Sequence, residues 1–343
     1  MSKVYEYLDK LEKDKQLLVD TLNSKDISSS SEETFSTLVP KISSLGSVNA
    51  YYDLTKRTSG DFGYYIKQIP MIDTSGYTNM LRMFKDLYSL QTIPLLDTSK
   101  VTDMLEMFYQ CFALTSIPQL DTSNVQYMNA TFSYCKSLKT IPLLNTSKVL
   151  VMRSMFGACT SLITIPQLDT SNVSDMSSMF SGCSSLTSIP QLNTSKVTNM
   201  SYMFSECKSL TEIPQLDTSE VTNMNGTFVN CKSLTTIPLL YMDKTTNISN
   251  AFNNCSSLTT LGGLANLGQA YTTGASANYS YYTLNLSSST LLTHDSLMNV
   301  INNLYDIATK GCKTQKLTLG STNLAKLTEE EIAIATNKGW TVS

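Results

Sequence analysis

Three sets of side chains in this 343-residue chain are of types that do chemistry. Seven of its eight cysteines, Cys111, Cys135, Cys159, Cys183, Cys207, Cys231 and Cys255, recur every 24 residues. Such a row suggests a metal or redox array. It holds no Cys-x-x-Cys pair, however, and its members sit among Leu and Phe, where a free thiol behaves as a small buried hydrophobe. An unbroken row of seven also has no neat disulfide pairing. Reduced, structural thiols are expected, with no metal.

Carboxylates form the second set: Asp73, Asp97, Asp121, Asp169 and Asp217 keep the same step. Paired carboxylates hydrolyse glycosidic bonds, yet Asn145 and Asn193 fill the same slot in other copies. A slot that takes Asp or Asn alike needs an oxygen acceptor for a turn, not a proton donor. His294 is the only histidine, which argues against His-based metal sites and against Ser–His or Cys–His catalysis. No catalytic residue, metal or cofactor is expected. Triplets such as Asn172-Val173-Ser174 have the form of a glycosylation acceptor, but Val173 belongs to the inward-facing pattern.

The third set is bulky and concentrated. Tyr109, Phe112, Tyr127, Tyr134, Leu150, Val151 and Arg153, with Tyr88 just before them, stand where later copies carry mainly Ser, Asn or Thr. Rings clustered on a hydroxyl-rich surface suggest a contact patch for a sugar or a protein. Packing against N-terminal helices or a neighbouring subunit explains the same residues equally well.

The elements that position these sets follow from the repeat. Eight of nine prolines, Pro70 through Pro238, share the step, as do eight phenylalanines from Phe84 to Phe252. The best copy is LTSIPQLNTSKVTNMSYMFSECKS, Leu186 to Ser209. Leu186, Ile189 and Leu192 mark a short extended segment, which Pro190 must end because proline has no N–H for a ladder. Asn193-Thr194-Ser195 supplies oxygens for a turn and a helix N-cap. Val197, Met200, Met203 and Phe204 then follow at the spacing of one face of a short helix. One copy cannot bury its apolar face alone, so the copies must stack. At the parallel-strand spacing of ~4.8 Å, eight coils make a rod on the order of 40 Å long.

The expected fold is an α/β solenoid of leucine-rich-repeat type. It is a right-handed coil of about eight 24-residue repeats, each a short parallel strand plus a short helix, with N-terminal helices and a small α/β C-terminal cap. The chain divides into 1–46, a helical attachment or oligomerisation segment; 47–64, a linker or N-terminal cap; 65–263, the solenoid; and 264–343, the C-terminal cap. Val4, Leu8, Leu11, Leu18 and Leu22 form a short heptad seam, with a trimer the favoured assembly. Ser30 and Glu33 offer a capping box to a second helix that Pro40 kinks. In the C-terminal part, Thr293 to Ile307 is an amphipathic helix, Gln315 to Leu319 a strand, and Thr328 caps a final helix that Gly339 ends.

The pattern L-T-x-I-P-x-L-(D/N)-T-S-x-V-x-x-M-x-x-M-F-x-x-C-x-S resembles the BspA-like leucine-rich repeats of bacterial surface proteins and their phage-encoded homologues, over about Tyr65 to Gly263. The resemblance implies adhesion or recognition without catalysis. SSSSEETFSTLVPKISSLG (28–46) and LTLGSTNLAKLTEEEIAIATNKGW (317–340) resemble segments of phage tail and fibre proteins and of phage-associated repeat proteins. Met1 to Leu22 has no apolar signal-peptide core, no wall anchor follows, and no stretch is long enough to span a membrane. A net charge of −3 argues against nucleic acid as partner. The expected role is therefore that of a bacteriophage virion protein. It would join other virion proteins through the N-terminal segment and bind a host-surface glycan or protein; a bacterial cell-surface adhesin is the alternative, and a polysaccharide hydrolase a distant third.

Overall fold

The computed structural model describes residues 67–69, 72–272 and 283–343. Segments 1–46 and 47–64, with the heptad residues Val4, Leu8, Leu11, Leu18 and Leu22, lie outside them. Coils are counted here by their prolines, from Pro70 in coil one to Pro238 in coil eight.

Successive copies lie on one another in register. A parallel ladder joins Asn79, Asp103, Tyr127, Val151, Asp175, Asn199, Asn223 and Asn247, each bridged to the residue 24 positions on. The extended segment before the proline pairs too, but briefly. In most copies it makes only single bridges or isolated bonds, such as Gln68 with Thr92 and Glu212 with Thr236. Near the end of the rod it lengthens into β1 (Thr236–Ile237), β2 (Leu240–Tyr241), β3 (Thr260–Leu261) and β4 (Leu264–Ala265). β1 pairs with β3 and β2 with β4, both in parallel. β1 stops immediately before Pro238, as a residue lacking an N–H requires.

The expected short helix takes the form of consecutive tight turns instead of a regular α-helix. In coil six, Met203 N–H donates to Met200 C=O, Ser205 to Tyr202 and Cys207 to Phe204, each at 3.1 Å. The alternate amides point along the rod: Met200, Tyr202, Phe204 and Glu206 donate to Asn223, Asn225, Thr227 and Val229 of the next coil at 2.8–2.9 Å. Every N–H from Met200 to Cys207 except that of Ser201 is thus satisfied by one of two backbone partners, and Ser201 donates to Asn199 Oδ1 at 3.0 Å. The alternation needs a left-handed residue at every fourth position, and Tyr202 (φ 57°) and Glu206 (φ 62°) provide it. Equivalent residues form two columns, with Gly182 and Gly226 among them. Left-handed backbone is free for Gly but costs other residues roughly 1–2 kcal/mol.

Packing follows the columns. Eight phenylalanine rings, Phe84 to Phe252, stack with centroids 5.4–5.8 Å apart. Burying each contributes roughly 1.5–3 kcal/mol. Buried threonines tie the coils together: Thr122 Oγ1 donates to Asn145 C=O at 2.9 Å, and Thr146, Thr170, Thr194 and Thr218 make the same bond to the next coil at 2.8 Å.

The last coil is closed by a small α/β unit. Its parallel sheet has the order β5 (Thr283–Asn285), β6 (Gln315–Thr318), β7 (Trp340–Val342). Around it lie α1 (His294–Asn303), α2 (Gly320–Leu324) and α3 (Glu329–Asn337). α1 packs on β3 and β4, and Ser296 Oγ both donates to Thr259 C=O and accepts from Leu261 N–H, at 3.0 and 3.1 Å. Thr328 and Glu331 form the reciprocal capping box of α3. Gly339 ends it with φ 90°, where a Cβ would come within 2.8 Å of Ile307.

Candidate functional site

The thiol column is interior. None of the seven from Cys111 to Cys255 forms a disulfide, and all are buried. Each S–H donates to the phenylalanine carbonyl of the preceding coil, as Cys159 to Phe132 at 3.0 Å and Cys183 to Phe156 at 3.0 Å. That carbonyl already accepts the N–H of its own coil's cysteine, Cys135 to Phe132 at 3.0 Å. The thiol therefore serves the second lone pair of a buried oxygen, a reason for Cys over Ala that the sequence alone did not disclose. Burial pushes the Cys159 thiol up to about 12 and Cys135 and Cys183 well above the ordinary range. Such thiols are poor nucleophiles and poor ligands.

The acidic column builds turns. Asp97 Oδ1 accepts from Ser99 N–H at 3.0 Å and Ser99 Oγ–H at 2.7 Å, and Asn193 makes the same pair of bonds with Ser195 at 3.1 and 2.8 Å. These serine bonds hold the carboxyls of Asp97, Asp121 and Asp169 below the usual carboxylate range. A second column of the same kind escaped the sequence reading. Asn79, Asp103, Asp175, Asn199, Asn223 and Asn247 each accept the N–H two residues on, at 2.7–3.1 Å. Its signal was present as Asn or Asp at a fixed step, broken only by Tyr127 and Val151. His294 begins α1 and pairs with Glu331 at 2.8 Å, so it links two helices of the cap. Among the described residues no group of three or more His, Cys, Asp or Glu is placed to hold a metal ion, and no helix is long and apolar enough to cross a membrane.

The bulky residues of coils one to four divide into two clusters on the turn segment. At its far end, Tyr88 stacks on Phe112 with centroids 5.0 Å apart, and Tyr109 meets Tyr134 edge-on at 5.6 Å. Cations cover both pairs: Lys136 lies 4.5 Å from the Phe112 centroid and Lys85 4.8 Å from that of Tyr109. At its near end, Tyr127 bridges to Val151, with Leu150 exposed beside them. Arg153 is committed to Asp175 at 2.8 Å, an ion pair worth little at an exposed site. Tyr127 and Tyr134 remain 44% and 39% exposed. No ring contact joins Tyr127 to the other cluster among the described residues. The arrangement can stack on, and donate hydrogen bonds to, a partner surface.

A rod of stacked coils, with a sealed core, turn-building carboxylates and aromatic clusters on its surface, defines a leucine-rich-repeat-type solenoid. The family described as "Mycoplasma protein of unknown function, DUF285" matches residues 78–187 and 152–262, together more than half of the chain. The chain belongs to that family. Sequence comparison with curated proteins finds no match. Among solved structures, the leucine-rich repeat protein of T. pallidum is similar at 17% identity and a TM-score of 0.32, over 56% of this chain and 75% of that one. A leucine-rich cell surface protein of Faecalibacterium prausnitzii is similar at 18% identity and a TM-score of 0.29, over 66% of this chain and 77% of that one.

Proposed function

We propose that the protein is a non-enzymatic recognition module of a bacterial cell surface, binding a protein or glycan partner through the turn face of coils one to four. The observation that carries the proposal is the concentration of half-exposed rings there. Tyr109 and Tyr134 occupy slots filled by Ser181 and Gly182 in coil five, and Tyr127 replaces an Asn or Asp that elsewhere closes a turn. Giving up a turn bond for an exposed ring gains the scaffold nothing and suits a contact surface. The BspA-like character of the repeat supports the surface placement. Attachment to other virion proteins through the N-terminal segment rests on the short likeness of 28–46 to phage proteins, and neither the family nor the similar structures add to it. A heptad seam through Val4, Leu8, Leu11, Leu18 and Leu22 would present several patches together and raise avidity.

The test replaces Tyr127 and Tyr134 together by Asn, which later coils carry in both slots. Binding of wild type and variant to a glycan array, immobilised mucin and immobilised fibronectin is compared, with melting temperature and oligomeric state as controls. Lost binding with an unchanged fold supports recognition. Unchanged binding, or loss of assembly or solubility instead, refutes it in favour of packing.

A further inference from the structure

A second surface of the rod carries features that neither the core nor the aromatic patch explains. Between the residues after each proline and the serine-bonded turn, coils one to five form a groove of about 1270 Å³ that shares no residue with the patch. On its rim the slot after proline holds Leu95 and Leu143, 67% and 62% exposed. Coils three, five, six and seven place glutamine there and coil eight a less exposed Leu239, and the amide ties neighbouring coils: Gln119 Nε2 donates to Leu143 C=O at 2.6 Å and Gln167 to Gln191 C=O at 2.7 Å. Leucine abandons that bond and leaves apolar surface in water.

The groove also contains unsatisfied hydroxyls. From coil three to coil seven the buried threonine always bonds the carbonyl of the following coil. Thr74 and Thr98, each 1% exposed, line the groove and their Oγ1 atoms have no partner. A buried hydroxyl in that condition is a cost to the free protein that an incoming polar group would remove.

Its electrostatics have one sign. Asp73, Asp97, Asp121 and Asp169 line the groove and, among the described residues, no Lys, Arg or His does. Serine bonds take Oδ1 of each and keep these carboxyls ionised at neutral pH. Lys100, whose charge acts on Asp73 and Asp97, donates to Ser75 C=O at 2.9 Å. The surface therefore offers carboxylates and apolar side chains but, among the described residues, no cationic group. Among the described residues no aromatic ring lines it for a sugar to stack on, and none of its carboxylates joins a group of three or more metal-binding side chains.

We infer that the groove is the docking site for an extended segment of a partner protein that alternates basic and apolar side chains. Ammonium or guanidinium groups meet the carboxylate row, apolar side chains cover Leu95 and Leu143, and the segment's backbone supplies partners for Thr74 and Thr98.

The test measures fluorescence anisotropy of two labelled peptides, Gly-(Leu-Lys)3-Gly and Gly-(Leu-Glu)3-Gly, with the full chain. Variants use residues that other coils already carry, so the fold is kept: Asp97→Asn with Asp121→Asn, and Leu95→Gln with Leu143→Gln. The lysine peptide should bind and the glutamate peptide should not. The Asn pair should weaken binding about tenfold, the worth of two exposed ion pairs, and flatten its salt dependence. The Gln pair should weaken it without changing the salt slope. Asp217→Asn, outside the groove, and the Tyr127/Tyr134 variant should bind as wild type, which separates this site from the aromatic patch. Equal binding of the two peptides, wild-type affinity in either pair, or an equal loss in Asp217→Asn overturns the inference.

Discussion

A bulky disulfide reagent applied to the native protein at pH 8 should label one thiol of the eight, Cys312. Cys312 is half-buried, whereas the seven in the column are fully buried. Two factors protect the column. Burial raises Cys159 from an ordinary 9.0 to about 12. At pH 8 about one molecule in ten thousand then carries the thiolate at that site, against roughly one in ten for an unperturbed thiol, a thousandfold loss before access is considered. Access in turn requires the coil to open, breaking the 3.0 Å bond from Cys159 to Phe132 C=O and unstacking Phe156 from its neighbours at 5.7 Å. The readout is absorbance of released thiolate against time, native and in guanidinium. One rapid equivalent should appear in the first and eight in the second. Replacing Cys159 by Ala should leave the rapid count unchanged and lower stability by about 2 kcal/mol, half from the lost bond and half from the lost sulfur volume. Two or more column thiols reacting rapidly in the native state would show that the coils are not closed on one another.

Two further outcomes bear on the turn segment and the acidic column. Ala158 has φ 58°, so Ala158→Gly should be neutral or stabilising by up to about 1 kcal/mol in thermal melts, the relief of left-handed strain being partly offset by glycine's entropy; a loss of about 1 kcal/mol would instead indicate an ordinary helix interior. Asp97, Asp121 and Asp169 have folded-state pKa values depressed below their unfolded ones, so their contribution is present above about pH 4 and is lost as pH falls through the folded values. Replacing all three by Asn should flatten the acid limb of melting temperature against pH between 2 and 6, and an unaltered limb would exclude these carboxylates as its source.

The repeat told most of the fold because its period is a physical constraint. A residue buried in every coil, such as Phe180 or Cys183, must recur at one step, so position alone separated core from surface. Local geometry was less legible. Val197, Met200, Met203 and Phe204 are spaced as a helix face, yet the backbone alternates between turn and cross-coil bonds. Short turns and a helix bury the same side chains at that spacing, and only the left-handed columns tell them apart. Their signal, Gly182, Gly226 and Asn230, is diluted by Tyr202 and Glu206, which adopt the same φ at a cost that the stack outweighs. The bulky residues of the proposed patch were visible as departures from the repeat, though not their division into two clusters. The groove was hidden because its defining feature, a hydroxyl left without a partner at Thr74 and Thr98 but satisfied at Thr122 and beyond, exists only in three dimensions.

Stacking also dictates where information can reside. A slot that faces the core is fixed by its neighbours in both adjoining coils, so its residue type is mostly shared down the column, with Thr131, Thr227 and Ala251 in the methionine slot as buried exceptions. Bulky departures lie where a side chain points to water. On this rod they crowd into the N-terminal half: Tyr109, Tyr127 and Tyr134 on the turn face, Leu95 and Leu143 at the groove. Coils five to seven return to Ser178, Ser181, Asn199 and Asn223. Of the two exposed rings of that half, Tyr202 and Tyr241, Tyr202 accepts a hydrogen bond at its hydroxyl from Asn225 at 3.0 Å. The same contrast divides the buried threonines, bonded from coil three onward and unsatisfied in coils one and two. A scaffold optimised only for stability would spread its exceptions evenly or avoid them. Two kinds of exception, on two faces, in one half of a nearly uniform rod are what the two proposed contact surfaces require, and under that proposal the later coils hold those faces away from the C-terminal cap.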